Sequence, residues 1–392
     1  MSSLKKIFYG RQSISKSDIR IVEKSLKNKT LTQGPLVQEL EKRFKDFFKS
    51  KYSLVCSSGT AALHLSLLSI GIKKSDIIIM PSVNFIAVYN LSISLGAKVI
   101  LVDVDPFTGQ MIPEKILSEV NSKNKNKIKA IITMNLGGYP ENIKKIFDIK
   151  KKIGCYLIED ACHALGSSFR YNKKLKKIGS CKYADISTFS LHPLKVITSG
   201  EGGVISTNNR IFAEKIKLLR SHGLKKDKKN YWKSVHKGFG YNYRLSEINC
   251  SLAISQLSRI NSFIKKRKKI AKYYIKSFQN LKEFIIIPTY KSFSLSSFHL
   301  FLIHINLKNL RGSKDNFFKY LNKKKVYPQF HYIPIYRLVK NIKLSLKKFR
   351  NTEKYYKTAI SLPIYYDLTS KEQDHVIESV KNYINKYKVN NV

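Results

Sequence analysis

The sequence contains few of the features that mark secreted, membrane or metal-binding proteins. Its five cysteines are odd in number and widely spaced, and no C-x-x-C or similar metal-ligand spacing occurs among them. The N-terminal segment has no apolar stretch long enough for a signal peptide, and no run of about eighteen apolar residues occurs anywhere. We therefore expect free thiols in a reducing cytoplasm, no bound metal and no membrane insertion.

Acidic residues are also scarce, with 26 Asp and Glu against 73 Lys and Arg, for a formal net charge of +47. One interpretation is a nucleic-acid-binding protein, whose lysines would neutralise phosphates. The other is a compositional bias, because Lys, Ile and Asn are inflated together along the whole chain and no helix-turn-helix, zinc-finger or RNP signature occurs. We favour the bias and expect no specific nucleic-acid partner. The positive field would also attract anionic small molecules.

The length of the chain predicts two domains, since 392 residues exceed what one core usually holds. Up to about residue 245, helical patterns alternate with short β-rich runs such as "DIIIMPS" (76–82) and "CYLIEDA" (155–161). This alternation predicts a mostly parallel sheet with helices on both faces. We place the large domain, with an N-terminal arm, at 1–245 and a smaller α+β domain at 246–392.

Polar residues at the predicted strand ends are the candidates for chemistry, since ligands of such sheets bind there. In "SSGT" (57–60), Gly59 would let a phosphate approach a helix N-terminus and Thr60 adds a hydroxyl, although a simple helix cap has the same pattern. Ser190 is open to the same two interpretations. Asp160, after "CYLIE", could cap a helix, bind a cation or hold a proton on a heterocyclic nitrogen.

Lys195, in "FSLHPLK", suggests a single cofactor site that would use all of these residues. A lysine amine is a nucleophile only when neutral, and burial or nearby positive charge lowers its pKa from about 10.4. A pyridoxal 5′-phosphate site needs such a lysine, a phosphate cradle and a carboxylate facing the pyridine nitrogen. The sequence offers a candidate for each part.

The stretches "EDACHALGSSF", "FSLHPLKVITSGEGG" and "KGFGYNYRLSEINCSLAISQL" closely resemble the DegT/DnrJ/StrS family of sugar aminotransferases. The likeness runs in order from "LTQGPLVQELE" to "SLPIYYDLT", nearly the whole chain. It implies the α/β fold of aspartate aminotransferase (fold type I), with a mostly parallel seven-stranded sheet in the large domain. One departure is Leu191, where many relatives have an aromatic residue.

The resemblance also implies a role for each matching residue. Lys195 would bind pyridoxal phosphate covalently, Asp160 would pair with its ring nitrogen, and His163 would lie beside it, the three forming the catalytic set. The remaining cofactor contacts would be Phe85, stacked on the ring, and Gly59, Thr60, Ser190 and Asn242, around the phosphate. Asn242 would come from the neighbouring subunit of a homodimer. The nucleotide sugar would contact Tyr9, Lys29, Thr30, Leu31, Thr32, Gln329, Phe330, His331 and Tyr332.

Motifs such as "LTQGP", "HALGS", "RSHG" and "FHYIPIY" resemble the pseudaminic acid branch of the family. That likeness implies transfer of an amino group from L-glutamate to C4 of a UDP-linked 4-keto-6-deoxy-N-acetylhexosamine. The product would be UDP-4-amino-4,6-dideoxy-N-acetyl-β-L-altrosamine. The alternatives are amination of another keto-sugar, of the perosamine or bacillosamine type, and a sugar dehydratase, in which relatives carry histidine at the position of Lys195.

Overall fold

The computed structural model of the chain describes residues 5–227, 229–230, 232–340, 342 and 345–389. Its strands are β1 (Ile7–Phe8), β2 (Tyr52–Cys56), β3 (Ile77–Pro81), β4 (Lys98–Val102), β5 (Ile128–Met134), β6 (Tyr156–Asp160), β7 (Ser168–Tyr171), β8 (Lys174–Lys177), β9 (Ile186–Ser190), β10 (Gly203–Thr207), β11 (Leu224–Lys226), β12 (Ser234–His236), β13 (Ile285–Ile286), β14 (Phe301–Ile305), β15 (Val326–Tyr327) and β16 (Ala359–Leu362). Its α-helices are α1 (Lys16–Leu26), α2 (Pro35–Phe48), α3 (Gly59–Ser69), α4 (Ala87–Ser94), α5 (Pro113–Ser118), α6 (Ile143–Ile153), α7 (Arg210–Arg220), α8 (Glu247–Ser258), α9 (Ile260–Ser277), α10 (Lys314–Lys323), α11 (Ile335–Leu338), α12 (Arg350–Thr358) and α13 (Ser370–Tyr387).

A seven-stranded sheet forms the centre of the molecule, in the order β2-β10-β9-β6-β5-β3-β4. The strands from β9 to β4 are paired in parallel, whereas β10 is antiparallel to both of its neighbours. Strands such as β3, "IIIMP", are buried along their whole length, as expected where helices cover both faces of a sheet. The predicted α/β fold with a mostly parallel seven-stranded sheet is therefore confirmed.

The C-terminal part contains a second, three-stranded sheet, β13-β14-β16. Two consecutive helices, α8 and α9, precede this sheet in the chain and meet at Arg259. The N-terminal arm also contacts this part, because β1 pairs in parallel with β15 and Ile7 is fully buried in the same apolar cluster. The domain boundaries 1–245 and 246–392 stay a prediction.

The strand register brings the polar strand ends together. Asp160 is the last residue of β6 and pairs with Thr188 on β9. Ser190, which ends β9, pairs with Gly203 on β10, and Gly203 pairs with Cys56 at the end of β2. The ends of β2, β9 and β6 therefore lie along one edge of the sheet.

Among the described residues, none of the helices has the length and apolar character that a membrane-spanning helix requires.

Candidate active site

A cavity of about 690 Å³ opens at this edge of the sheet. Its walls come from the strand ends, from the N-terminal arm and from the segment after β15. Twelve of the residues predicted from the sequence line it: Tyr9, Gly59, Thr60, Phe85, Asp160, His163, Ser190, Lys195, Gln329, Phe330, His331 and Tyr332. The cavity thus joins the proposed cofactor residues to most of the proposed substrate residues.

One end of the cavity is the N-terminus of α3. Ser58 is the N-cap, and its hydroxyl accepts a hydrogen bond of 3.0 Å from the backbone N–H of Ala61. A Cβ atom on Gly59 would lie 2.8 Å from the Cβ atom of Ser190, closer than real side chains approach. The helix start and the Ser190 hydroxyl are therefore close neighbours only because residue 59 is glycine. Such a helix N-terminus suits an anion.

Asp160 and Lys195 supply opposite charges at the centre of the cavity. Asp160 is buried and accepts a hydrogen bond of 3.2 Å from the backbone N–H of Cys162. Burial raises the pKa of Asp160, while the charge of Lys195 acts in the opposite direction. Burial lowers the pKa of Lys195, whereas electrostatic interactions with Cys162 and Asp160 act to raise it. A lysine amine held this way is more easily neutral, and hence nucleophilic, than one on the surface.

His163 is a buried, neutral imidazole beside these two groups. Its Nδ1 accepts a hydrogen bond of 3.4 Å from the backbone N–H of Gly137, so its proton lies on Nε2. Nε2 is 2.9 Å from the hydroxyl oxygen of Tyr332, to which it donates. Burial, together with the charge of Lys195, puts the pKa of His163 well below its ordinary value. His163 therefore links the proposed cofactor residues to the segment 329–332 through its contact with Tyr332.

The segment 329–332 forms the wall opposite the strand ends. Nδ1 of His331 lies 3.0 Å from the hydroxyl of Ser361, and burial lowers the pKa of His331 to about 3. The ring of Tyr9 meets the His331 ring edge-on, with centroids 5.0 Å apart. Phe85 is 52% exposed, and its ring centroid lies 5.8 Å from that of Tyr332. An exposed aromatic ring beside a cavity can stack on a flat ligand.

Five of the predicted site residues do not line the cavity. The segment Lys29–Thr32 is exposed between α1 and α2, where the carbonyl of Leu31 accepts a hydrogen bond from the Glu247 backbone and Thr32 forms a bridge to Ser246. Asn242 is also exposed and forms a bridge to Ser221. Their roles in binding remain predictions.

The structure adds residues that the sequence reasoning missed. Asn84, Cys162, His192 and Glu201 line the cavity, and His299 packs on His163 with ring centroids 4.2 Å apart. Asn84 is buried, and within the described ranges its side-chain N–H₂ group has no hydrogen-bond partner. Each of the first four lies within three residues of a predicted site residue or in the "SGEGG" cluster, which is the signal that could have found them. His299 has no such neighbour in the sequence.

Comparison with known proteins gives consistent matches over the whole chain. The model of the DegT/DnrJ/EryC1/StrS aminotransferase family matches residues 12–381. Over 383 residues the chain is 36% identical to the UDP-4-amino-4,6-dideoxy-N-acetyl-beta-L-altrosamine transaminase of Campylobacter jejuni subsp. jejuni serotype O:23/36, covering 97% of this chain and 98% of that protein.

Two solved structures show the same fold. Helicobacter pylori PseC, an aminotransferase involved in the biosynthesis of pseudoaminic acid, matches with a TM-score of 0.88 and 28% identity, over 97% of this chain and 100% of the other. NtdA from Bacillus subtilis, solved with bound cofactor PMP, matches with a TM-score of 0.81 and 26% identity, over 95% and 83% of the two chains. The narrower likeness to the pseudaminic acid branch is thus found again by direct comparison.

Proposed function

The chain belongs to the DegT/DnrJ/EryC1/StrS aminotransferase family, and from that premise we propose that it transfers an amino group from L-glutamate to C4 of a UDP-linked 4-keto-6-deoxy-N-acetylhexosamine. It is a sugar aminotransferase that depends on pyridoxal 5′-phosphate. The proposed product is UDP-4-amino-4,6-dideoxy-N-acetyl-β-L-altrosamine, a precursor of pseudaminic acid. The 36% identical Campylobacter transaminase supports this choice of substrate.

The observation that carries the proposal is that Lys195 and buried Asp160 interact electrostatically within one cavity, whose lining includes the start of α3. These residues fit the cofactor. The α3 N-terminus, with Gly59 and Thr60, would hold the phosphate together with Ser190, whose close approach requires glycine at position 59. Phe85 would cover a face of the ring, and Asp160 would hold the proton on the ring nitrogen.

When bound, pyridoxal 5′-phosphate supplies a conjugated ring that accepts the electron pair left on the reacting carbon. The neutral amine of Lys195 would hold the cofactor covalently and would become free once the amino donor takes its place. The freed amine then takes a proton from the donor carbon and later returns one to the sugar carbon, as a general base and acid. Asp160 would place a negative charge beside the ring nitrogen, and its burial would strengthen that interaction.

In this scheme His163 stays uncharged and fixed in position near Lys195. Being neutral and fixed by Gly137 and Tyr332, it adds no positive charge beside Lys195. The lysine amine is therefore free to exchange protons without a second titrating cation next to it. Tyr9 and the segment Gln329–Tyr332 would bind the sugar nucleotide, since they form the outer wall of the cavity.

We further propose a homodimer with shared active sites in the cytoplasm. Asn242 and the segment Lys29–Thr32 lie outside the chain's own cavity, which is the arrangement expected if they serve the partner's site. All five cysteines are free thiols in the structure, as a reducing compartment would keep them. Sedimentation at several protein concentrations tests the dimer.

The decisive experiment is visible spectroscopy of the purified protein, followed by addition of L-glutamate. The bound cofactor gives a yellow colour that glutamate bleaches, and a Lys195→Ala variant is expected to lose turnover completely. Lys177→Ala is a matched control, because Lys177 is also partly buried with a lowered pKa but does not line the cavity. A colourless protein, or near-normal turnover in Lys195→Ala, would contradict the mechanism.

Product analysis then identifies the sugar. UDP- and GDP-linked 4-keto sugars are offered in parallel, and the aminated product is characterised by mass spectrometry and NMR. Amination of the 4-keto precursor of altrosamine supports the proposal. Preference for a perosamine or bacillosamine precursor would replace the substrate and keep the reaction.

A further inference from the structure

Lys314 lies between two aromatic rings, one of which belongs to the cavity-wall segment 329–332. Its Nζ atom is 3.6 Å from the ring centroid of Phe330 and 4.5 Å from that of Tyr356. Nζ also donates a hydrogen bond to the backbone carbonyl of Tyr356. The rings of Phe330 and Tyr356 are themselves in contact, with centroids 5.5 Å apart. We call Phe330, Lys314 and Tyr356 the Lys314 stack.

The position of this lysine breaks a local rule. Lys314 is the first residue of α10, where the helix dipole disfavours a positive charge. None of the ion pairs found in the described part of the chain involves Lys314. Apart from the adjacent Asp315, the favourable interactions of the ammonium are with the two ring faces and the carbonyl. Residues that break a local preference are often kept for function.

The far side of the Lys314 stack is anchored. The guanidinium of Arg337 lies 4.9 Å from the Tyr356 ring centroid, and it binds both carboxylate oxygens of Glu353 at 2.9 and 2.6 Å. Tyr356 is thus flanked by cations from α10 and α11. Of the three residues in the stack, Phe330 lines the cavity that contains Lys195. A change in the Lys314 stack that moves Phe330 therefore also moves part of the wall of that cavity.

We propose that Lys314 is a positioning residue, whose charged form holds Phe330 at the cavity wall and so sets the affinity for the amino acceptor. The naming of the acceptor rests on the proposed function. Without the ammonium, the Phe330 ring keeps its contacts with the rings of Tyr355 and Tyr356 but loses the cation–π contact, and it gains freedom to rotate away from the wall. Binding would then have to restore its position each time.

The stack also predicts a pH dependence. Burial lowers the pKa of Lys314 to about 8, and the nearby Asp315 acts in the opposite direction. The other charged or titratable groups around it are Arg337 and Glu353 across Tyr356, and His304 on β14, whose pKa of about 4 keeps it neutral in this range. As the pH rises through 8, the ammonium is lost and with it the cation–π contact.

The test compares Lys314→Met, Lys314→Arg and Lys354→Met in the cofactor-loaded protein. Lys354 is the matched control, because its Nζ lies 4.2 Å from the ring centroid of Phe107, which does not line the cavity. The probe is UDP-N-acetylglucosamine, which carries the nucleotide and the N-acetyl group but no keto group. Its dissociation constant is measured by calorimetry between pH 6.5 and 9.5.

We expect Lys314→Met to bind the probe about three- to tenfold more weakly at pH 7, with no further change up to pH 9. The wild type and Lys354→Met should weaken by the same factor between pH 7 and 9. Lys314→Arg should bind like the wild type at pH 7 and stay unchanged to pH 9, because a guanidinium keeps its charge. Equal pH profiles in the wild type and Lys314→Met would overturn the proposal.

Two further measurements separate this inference from the proposed function. Bleaching by L-glutamate should be the same in Lys314→Met, Lys314→Arg and Lys354→Met as in the wild type, so its absence from the wild type counts against the aminotransferase reaction and not against the stack. A double-mutant cycle of Lys314→Met and Phe330→Leu, followed by unfolding in urea, measures the contact itself. If the wild type does not bind the probe, the coupling free energy from this cycle still tests the proposal. Zero coupling between Lys314 and Phe330 at pH 7 refutes the role of Lys314.

Discussion

Replacement of Glu247 should loosen the start of α2, because the carboxylate accepts three backbone hydrogen bonds there. Glu247 is fully buried at the start of α8, yet its carboxylate caps a different helix, α2. Oε1 accepts from the backbone N–H groups of Gly34 and Val37, both at 3.1 Å, and Oε2 accepts from that of Leu36 at 2.9 Å. Gly34, the N-cap of α2, provides no side-chain hydrogen bond of its own.

The geometry sets the expected magnitudes. Glu247→Ala leaves three partly buried N–H groups without their acceptor, and we expect a cost of about 3–5 kcal/mol in unfolding free energy. Glu247→Gln can keep its oxygen at the Oε1 position and thus two of the three bonds, but its N–H₂ group then faces the N–H of Leu36. That single loss should cost about 1–3 kcal/mol.

Hydrogen–deuterium exchange gives the most direct measurement. The amides of residues 34–37 should exchange roughly 10²- to 5 × 10³-fold faster in Glu247→Ala and about 5- to 150-fold faster in Glu247→Gln. Glu39→Gln is the control on the same helix, because its ion pair with Arg43 is exposed and worth about 0.5 kcal/mol or less. Exchange of residues 34–37 within threefold of the wild type in Glu247→Ala would refute the capping argument.

Two further predictions follow from other buried groups. Burial raises the pKa of Glu159 from 4.5 to about 7, so its neutral form stabilises the fold fully below pH 4.5 and that contribution, about 3 kcal/mol, is lost as the pH rises through 7. Calorimetric melting of Glu159→Gln should therefore lack this part of the wild-type pH dependence, and parallel melting curves for the two proteins from pH 4.5 to 8 would contradict it. Gly59→Ala should raise the dissociation constant for pyridoxal phosphate at least tenfold, measured by absorbance titration, because the added methyl group collides with Ser190 at 2.8 Å; unchanged affinity would show that the two segments separate freely.

The strand ends could be predicted from the sequence because they follow from local patterns. Asp160 ends the short apolar run of β6 and Ser190 ends the short strand β9, and parallel strands bring such ends to one edge whatever the rest of the chain does. The lysine, the carboxylate and the glycine of one cavity could therefore be proposed from residue order alone. The roles of Phe85 and the segment 329–332 needed the family resemblance, since their residue types alone have many interpretations.

Contacts between distant segments could not be predicted in this way. Glu247 caps a helix more than 200 residues earlier in the chain, and nothing in "SEINC" distinguishes that carboxylate from the usual acid at a helix start. The same holds for Lys314, one of many lysines, until the fold places it on Phe330. Such pairings depend on tertiary packing, and a sequence pattern contains no information about which distant ring a lysine meets.

The position of β10 has a consequence for how the protein is made. Among the described residues, β2 pairs with β10 alone, so Tyr52 has no neighbouring strand until residues such as Ser206, 154 positions later, have been synthesised, whereas the partners of β3 to β6 follow at shorter intervals. At a synthesis rate of about 5–20 residues per second, that interval lasts roughly 8–30 s on the ribosome. During that time β2 and the glycine turn at its end have no partner strand. The edge of the sheet that carries the proposed phosphate cradle is therefore completed last, after the strands that carry Asp160 and Ser190 have emerged.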